Sequence, residues 1–308
     1  MTRTPVLAAS GAARAIALIG DAWVLRILRS VFRGSNRFSG LLQELGVSRA
    51  VLSQRLELLC TEGLLERDVS GGHPRYRLTE MGLDLWAVLI LMWLWERQRG
   101  SGLAQGGHRS DRPRSRLIHR DCGATIEPRY ACVHCAQAVS PFETEPVLRP
   151  QAGSPAPGLL APGERARYRQ SSRTDRDQLP RLLRLYGDRW NCFILAAAFQ
   201  GARTFSDFQR ALALGPAQIS DRLSEMQALG FLQARAYAGQ RQEYRLTPDA
   251  LATFAITVEM MQWGNRWLWR GQAPLTVRHK GCGHLLKAAL DCPHCHKPLS
   301  RRNLMLLD

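Results

Sequence analysis

The chain has 308 residues, enough for two compact domains with small additions, and 45% of them are hydrophobic, which excludes a largely disordered protein. Its formal net charge of +16 favours an anionic partner, with nucleic acid ahead of an acidic membrane. The longest apolar run, Leu85–Trp95, is well short of the roughly 20 residues that span a bilayer. The first residues form no cleavable signal. We therefore expect a soluble, cytoplasmic protein that does not bind membranes.

The first copy of an internal duplication begins with a pattern of three helices. GDAW at Gly20–Trp23 opens the first helix, and a second short helix ends at Gly46, where a C-cap glycine is favoured. Ser48 can then cap a third helix whose inward stripe contains Leu52 and Leu56. Two short helices joined by a tight turn with glycine predict a helix-turn-helix.

Two short strands and a long apolar helix are predicted after the third helix. The strands surround a Gly-Gly-His-Pro tip and form a β-hairpin, or wing, that ends at Thr79. Thr79 can cap the long helix, as can Thr247 in the second copy. The order of elements is therefore that of a winged helix.

The duplication is read from matches that recur 167 or 168 residues apart. They are GDAW at Gly20–Trp23 with GDRW at Gly187–Trp190, LSQRL at Leu52–Leu56 with ISDRL at Ile219–Leu223, and YRLT at Tyr76–Thr79 with YRLT at Tyr244–Thr247. Repeats of this length predict two copies of one folding unit.

Six of the eight cysteines belong to a motif that also occurs twice. Each motif has His-x2-Cys-Gly and then Cys-x-His-Cys, and the two are 160 residues apart with unrelated residues between the matches. Three cysteines and one histidine are a standard tetrahedral zinc set, and a closed set favours a structural role over catalysis. We expect one Zn²⁺ per copy, one held by His119, Cys122, Cys132 and Cys135 and the other by His279, Cys282, Cys292 and Cys295. A redox Cys-x-x-Cys pair and free thiols are the rival interpretations.

In its helical regions the chain resembles the HxlR-type winged-helix transcriptional regulators. GDAW, RFSGLLQEL, LSQRLELLCTEGLLER and YRLTEMG carry the resemblance in the first copy, and GDRW, TFSDFQRAL, ISDRLSEMQALGFL and YRLT in the second. It implies a bacterial DNA-binding regulator that pairs through helices flanking the winged core. Unlike oxidant-sensing members, the chain has no cysteine before the first helix, and two copies with two metal motifs are also unusual.

The predicted fold class is mainly α with small β (α+β). Residues 12–99 form a first winged helix-turn-helix domain, 117–140 a first zinc ribbon and 141–178 a flexible linker. Residues 179–270 form the second winged helix-turn-helix domain and 276–300 the second zinc ribbon.

The predicted DNA contacts lie at the start of each third helix and on the hairpins. Helix residues that enter the major groove near their N-terminal end read bases, whereas hairpin arginines position the protein on phosphates. The candidates are Ser48, Arg49, Ala50, Ser53, Gln54, Arg67, His73, Arg75 and Arg77 in the first copy, and Gln218, Ser220, Asp221, Arg235 and Arg241 in the second. Because a carboxylate repels phosphate, Asp221 predicts weaker reading by the second copy.

The leading interpretation is a transcriptional regulator that binds double-stranded operator DNA. The alternatives are a protein-interaction scaffold, resembling general transcription factors built from a winged helix and a zinc ribbon, and a thiol oxidoreductase. No nucleophile-base pair or phosphate loop argues for an enzyme.

Apolar stripes in the long helices predict an interface between the two copies. They comprise Leu85, Leu89, Met92 and Trp93 in the first copy, and Phe254, Val258, Met261 and Trp263 in the second. Both stripes could instead be ordinary core. We expect an internal pseudo-dimer of the two winged helices, and a homodimer through the same surfaces is the alternative.

Overall fold

A computed structural model describes residues 10–70, 73–100, 115–149, 179–236 and 242–307. We call residues 10–149 copy 1 and residues 179–307 copy 2. One predicted DNA contact, Arg241, lies outside the described residues, as do residues 150–178 of the predicted linker.

Copy 1 contains six helices and six strands among its described residues. The helices are α1 (Gly11–Ile19), α2 (Ala22–Phe32), α3 (Phe38–Leu45), α4 (Arg49–Thr61), α5 (Glu80–Leu83) and α6 (Trp86–Arg99). The strands are β1 (Leu65–Asp68), β2 (Arg75–Leu78), β3 (Arg116–His119), β4 (Thr125–Ile126), β5 (Arg129–Cys132) and β6 (Thr144–Leu148).

Copy 2 repeats this order, except that its described residues contain no equivalent of β4. Its helices are α7 (Arg181–Tyr186), α8 (Arg189–Phe199), α9 (Phe205–Leu212), α10 (Pro216–Ala228), α11 (Pro248–Leu251) and α12 (Phe254–Trp267). Its strands are β7 (Leu232–Ala236), β8 (Gln242–Leu246), β9 (Leu275–His279), β10 (Ala288–Asp291) and β11 (Leu304–Leu307).

Capping residues set the helix boundaries where the sequence predicts them. The Asp21 carboxylate accepts hydrogen bonds from the backbone N–H groups of Trp23 and Val24 and so starts α2. Ser48 caps α4 through the N–H of Val51, and Gly46 ends α3 in the left-handed region at φ 62°. The predicted helix-turn-helix is confirmed at these positions.

Hairpin β1–β2 follows α4 and hairpin β7–β8 follows α10, and both hairpins are antiparallel. The long helix predicted after each hairpin is divided into a single turn, α5 or α11, and the long helix α6 or α12. Leu52, Leu56 and Leu59 of α4 are at most 1% exposed, as the inward stripe predicts.

Helix α1 packs along α12 of the other copy, a contact that the sequence pattern did not predict. Gly11 and Gly264 lie where the helices cross, and a Cβ on Gly11 would approach the Met261 carbonyl oxygen to 2.5 Å. Neither glycine can carry a side chain without moving one helix away from the other.

Two equivalent tryptophans join the copies through matching hydrogen bonds. Trp95 of α6 donates from Nε1 to the Asp249 carbonyl oxygen at 3.0 Å, and Trp263 of α12 donates to the Met81 carbonyl oxygen, also at 3.0 Å. Trp263 is fully buried and Trp95 is 3% exposed. Both rings are therefore part of a buried contact between the copies.

Three of the strand pairs after the helical regions join the two copies, whereas β3 and β4 pair within copy 1. Strand β5 pairs with β10, β3 with β11, and β6 with β9, all antiparallel. The prediction that residues 141–178 are entirely linker was wrong for β6. Its backbone hydrogen bonds with β9 fix Thr144–Leu148 as an edge strand despite Pro146, a residue that edge strands tolerate.

No helix in the described ranges is both long and apolar enough to cross a membrane.

Candidate metal clusters and nucleic-acid interface

The eight predicted metal ligands form two clusters, but each cluster draws ligands from both copies. The first cluster consists of His119, Cys122, Cys292 and Cys295, and the second of Cys132, Cys135, His279 and Cys282. The prediction that each copy supplies one complete set was therefore wrong in its grouping. The antiparallel pairing of β5 with β10 is the reason, because it brings the Cys-x-x-Cys segment of each copy beside the His-x-x-Cys segment of the other.

The distances within each cluster fit a tetrahedral zinc site. Typical Zn–S and Zn–N bonds of about 2.3 and 2.0 Å imply S···S edges of about 3.8 Å and S···N edges of about 3.5 Å. The Sγ atoms of Cys122 and Cys292 are 3.8 Å apart, as are those of Cys132 and Cys282. The four distances from histidine Nδ1 to cysteine Sγ range from 3.2 to 3.5 Å.

Backbone conformation shapes the turns that present the ligands. Gly123 and Gly283 follow a ligand cysteine in the left-handed region at φ 69° and 72°, as the motif predicts. Ala136 and His296 adopt the same conformation at φ 57° and 59° after the second turn. Because alanine and histidine are disfavoured there, the matching conformations indicate that the turn requires it.

Two cysteines in the clusters have lowered pKa values. A hydrogen bond from the His284 backbone N–H, reinforced by the His279 side chain, lowers the pKa of Cys282 to about 6. Burial raises the pKa of Cys292, but hydrogen bonds from the backbone of Cys295 and His294 outweigh it and lower the pKa to about 7. Thiolates are the form that binds metal.

Two histidines that belong to neither ligand set contact each other. His134 stacks on His284 of the other copy, with ring centroids 4.4 Å apart. Nε2 of the buried His119 has no hydrogen-bond partner among the described residues and lies 3.5 Å from the Asp121 carboxylate. With Nδ1 directed at the thiols, the imidazole can act as a ligand through Nδ1 alone.

The predicted DNA-contact residues of α4 form one exposed face. Ser48, Arg49, Ala50, Ser53 and Gln54 are all exposed, as expected for the outward side of the helix. The predicted contacts Gln218, Ser220 and Asp221 on α10 are exposed as well.

A buried ion pair sets the position of α4 relative to α2. Arg55 is 3% exposed and binds the Asp21 carboxylate through Nη2 at 3.0 Å, while its Nη1 donates to Gln54 Oε1 at 3.0 Å. Copy 2 repeats the pair with Arg222 and Asp188 at 2.8 Å. The sequence pattern does not identify the aspartate of the GD-x-W motif as the partner of these arginines.

The hairpin residues differ in how far their charges are neutralised. Arg77 pairs with Asp68 at 2.9 Å, and Arg245 with Glu243 at 2.9 Å. The exposed residues Arg67, His73, Arg75 and Arg235 make no side-chain hydrogen bond or ion pair with another described residue. These side chains are therefore available to phosphate.

Helix-turn-helix units with exposed polar recognition faces, each followed by a hairpin with unpaired arginines, define a DNA-binding protein of the transcription-regulator class. The sequence pattern of the HxlR-like helix-turn-helix family matches residues 18–102 and 185–272, more than half of the chain. The chain belongs to this family. Its members are transcriptional regulators rather than enzymes.

Bacterial relatives match parts of the chain. The uncharacterized HTH-type transcriptional regulator Rv3095 of Mycobacterium tuberculosis is 34% identical over 151 residues, which cover 48% of this chain and 87% of that protein. YvaP of Bacillus subtilis, of the same description, is 36% identical over 89 residues, 27% of this chain and 82% of its own. The crystal structure of PA1607 aligns with 40% of this chain and 89% of that one at 26% identity, with a TM-score of 0.36 that is too low to compare overall arrangements.

Proposed function

We propose that this protein represses or activates transcription by binding operator DNA with its two winged helices, α4 and α10 entering the major groove. The observation that carries the proposal is the exposed polar start of α4 beside a hairpin whose Arg67 and Arg75 form no ion pair or side-chain hydrogen bond with a described residue. Arginine contacts with phosphate would give affinity, and Gln54 and Arg49 would read bases.

The two copies would read DNA unequally. Gln54 of copy 1 can pair with adenine through both atoms of its amide, whereas the equivalent Asp221 can only accept a hydrogen bond, for example from cytosine. An operator with two dissimilar half-sites is therefore expected.

We infer that each cluster holds one structural Zn²⁺. Three thiolates and one imidazole complete a tetrahedral set, so the metal would supply folding energy and no open catalytic position. Since each set joins the two copies, zinc would lock them together.

We also infer that the two copies act as an internal pseudo-dimer on DNA. Trp95 and Trp263 each bond a backbone carbonyl oxygen of the other copy, and strands pair between the copies. These contacts support one fixed arrangement of α4 and α10. A homodimer through the same surfaces would need those contacts to open.

Selection of fragments from the source genome that bind the purified, zinc-loaded chain tests the proposed function. A recurring sequence with affinity that falls as salt rises is expected, because phosphate contacts release counterions. Fragments with no shared sequence, or no binding, would favour the protein-interaction scaffold instead. Sedimentation of the complex should give one 34.5 kDa chain per operator, whereas two chains would contradict the internal pseudo-dimer.

A further inference from the structure

A cavity of about 520 Å³ lies between α2 and α6 of copy 1, and α7 and β11 of copy 2 also line it. Phe32, Trp86, Leu89, Ile90 and Trp93 supply much of its apolar wall. This volume and the aromatic part of the wall are typical of small-molecule sites.

Five arginines and a single glutamate line the same cavity, so its charge is positive. Arg26 donates to the Leu45 carbonyl oxygen, and Arg301 pairs with Glu80 at 3.2 Å. Arg29 and Arg120 are exposed, and neither makes a side-chain hydrogen bond or ion pair with a described residue. Two guanidinium groups at the cavity are thus available to an anion.

A buried carboxyl group lies on the cavity wall. Glu96 is 8% exposed, and its carboxyl group forms no hydrogen bond or ion pair with any residue that the structure describes. Burial raises its pKa, although the nearby Arg29 opposes the shift. A carboxyl group on the wall of a cavity can hydrogen-bond a ligand that enters the cavity.

Copy 2 lacks these charged residues at the equivalent positions. The positions equivalent to Arg26, Arg29 and Arg33 in α8 are Phe193, Ala196 and Gln200, and the position equivalent to Glu96 is Gly264. The helical framework needs neither the arginines nor the glutamate, since copy 2 forms the corresponding helices without them.

We propose that this cavity binds a small amphipathic anion, an aromatic or aliphatic body carrying one acidic group. The body would lie against Trp86 and Trp93, and the acidic group would be held by Arg29 and Arg120. The Glu96 carboxyl group would hydrogen-bond a polar atom of the ligand.

Calorimetric titration of the zinc-loaded full chain with 1-naphthoate tests the proposal. Titrations with 1-naphthalenemethanol and 1-naphthylmethylamine provide neutral and cationic probes of nearly the same size, and decanoate an aliphatic anion. We expect at least one of the two anions to bind at one site per chain. If 1-naphthoate binds, the alcohol and the amine should bind at least tenfold more weakly than 1-naphthoate does. The titration uses no DNA, so its outcome is independent of the proposed function.

Substitutions locate the site. Arg29→Ala should weaken binding of the anion at least tenfold, and Ile90→Trp should abolish it by filling the cavity. The matched control is Arg210→Ala, an exposed arginine of α9 that pairs with Asp207 and does not line the cavity. Thermal unfolding shows whether each variant is folded. Absence of anion binding, equal binding of the alcohol or the amine, or unchanged binding by a folded Arg29→Ala would overturn the proposal.

Discussion

Gln54 illustrates how neighbouring residues prepare a side chain for recognition. Its Oε1 accepts a hydrogen bond from Arg55, and Arg55 is fixed by the Asp21 carboxylate that also caps α2. The amide is thereby oriented by a chain of contacts that begins in another helix. One residue of the GD-x-W motif therefore serves both the start of α2 and the recognition face of α4.

Gln54→Ala should remove base preference at the half-site bound by copy 1. The expected loss on a mapped operator is about 1–3 kcal/mol, with little change on non-specific DNA. Thr61→Ala, at the other end of α4, is the matched control. Competition binding with single-base operator variants provides the measurement, and unchanged preference in Gln54→Ala would show that α4 does not read this base.

Arg75→Ala should weaken binding to all sequences alike, because a hairpin contact to phosphate carries no base information. The slope of log K against log salt should become shallower by about one. Arg77→Ala is the comparison, since Arg77 already pairs with Asp68. A loss confined to the cognate operator would instead assign Arg75 to base reading.

Glu96 should leave a signature in the dependence of stability on pH. Its folded pKa is raised by burial above the ordinary 4.5, so the folded state binds this proton more tightly than the unfolded state does. Its contribution to the free energy of unfolding is complete below the unfolded pKa and is lost as pH rises through the folded pKa. Glu96→Gln should remove this loss of stability with rising pH. Denaturant unfolding of both proteins over a range of pH values measures it, and the same dependence of the free energy of unfolding on pH in both proteins would contradict the prediction.

At the scale of elements, the strands explain how two identical motifs become two mixed clusters. Strand β5 lies beside β10, and the register pairs Tyr130 with Leu290, which are equivalent positions of the two copies. Tyr130 also reaches α12 of copy 2, where its hydroxyl donates to the buried Glu259 carboxylate at 2.8 Å. The metal motif of copy 1 therefore contacts a helix of copy 2.

Two double substitutions distinguish mixed clusters from one cluster per copy. Cys122→Ser with Cys292→Ser removes two ligands of the first cluster and should leave about one zinc per chain. Cys122→Ser with Cys132→Ser removes one ligand from each cluster and should lower zinc in both. Elemental analysis of protein purified without added metal gives the counts.

If each copy bound its own ion, Cys122→Ser with Cys132→Ser would leave one site intact, and Cys122→Ser with Cys292→Ser would damage both sites. Zinc near zero in the unsubstituted protein would contradict the metal itself.

At the scale of the whole molecule, helix packing, strand pairs and the mixed ligand clusters hold the two copies together. A protease site inserted between residues 150 and 178 should give two fragments that stay together at a mass near 34.5 kDa in sedimentation. Chelation should weaken that association, because each cluster has ligands on both fragments. Fragments that separate before metal is removed would contradict the shared clusters.

The sequence alone was sufficient for features that depend on neighbouring residues. The spacing of Leu52, Leu56 and Leu59, the cap at Ser48 and the glycine at Gly46 each act within a few residues, so the helix-turn-helix was predicted nearly to its boundaries. The matching of the two copies also gave the full set of eight candidate ligands.

Only the tertiary structure decided which ligands meet. The His-x-x-Cys segment of one copy is chemically equivalent to that of the other, and so are the Cys-x-x-Cys segments, so spacing cannot say which pair shares an ion. The pairing of β5 with β10 and the burial of Tyr130 against α12 settle it, because they depend on contacts more than 100 residues apart. The crossing of α1 and α12 at Gly11 and the cavity lined by β11 also depend on tertiary structure. The local sequence determines the conformation of each of these elements, but packing of the whole chain determines which surfaces meet.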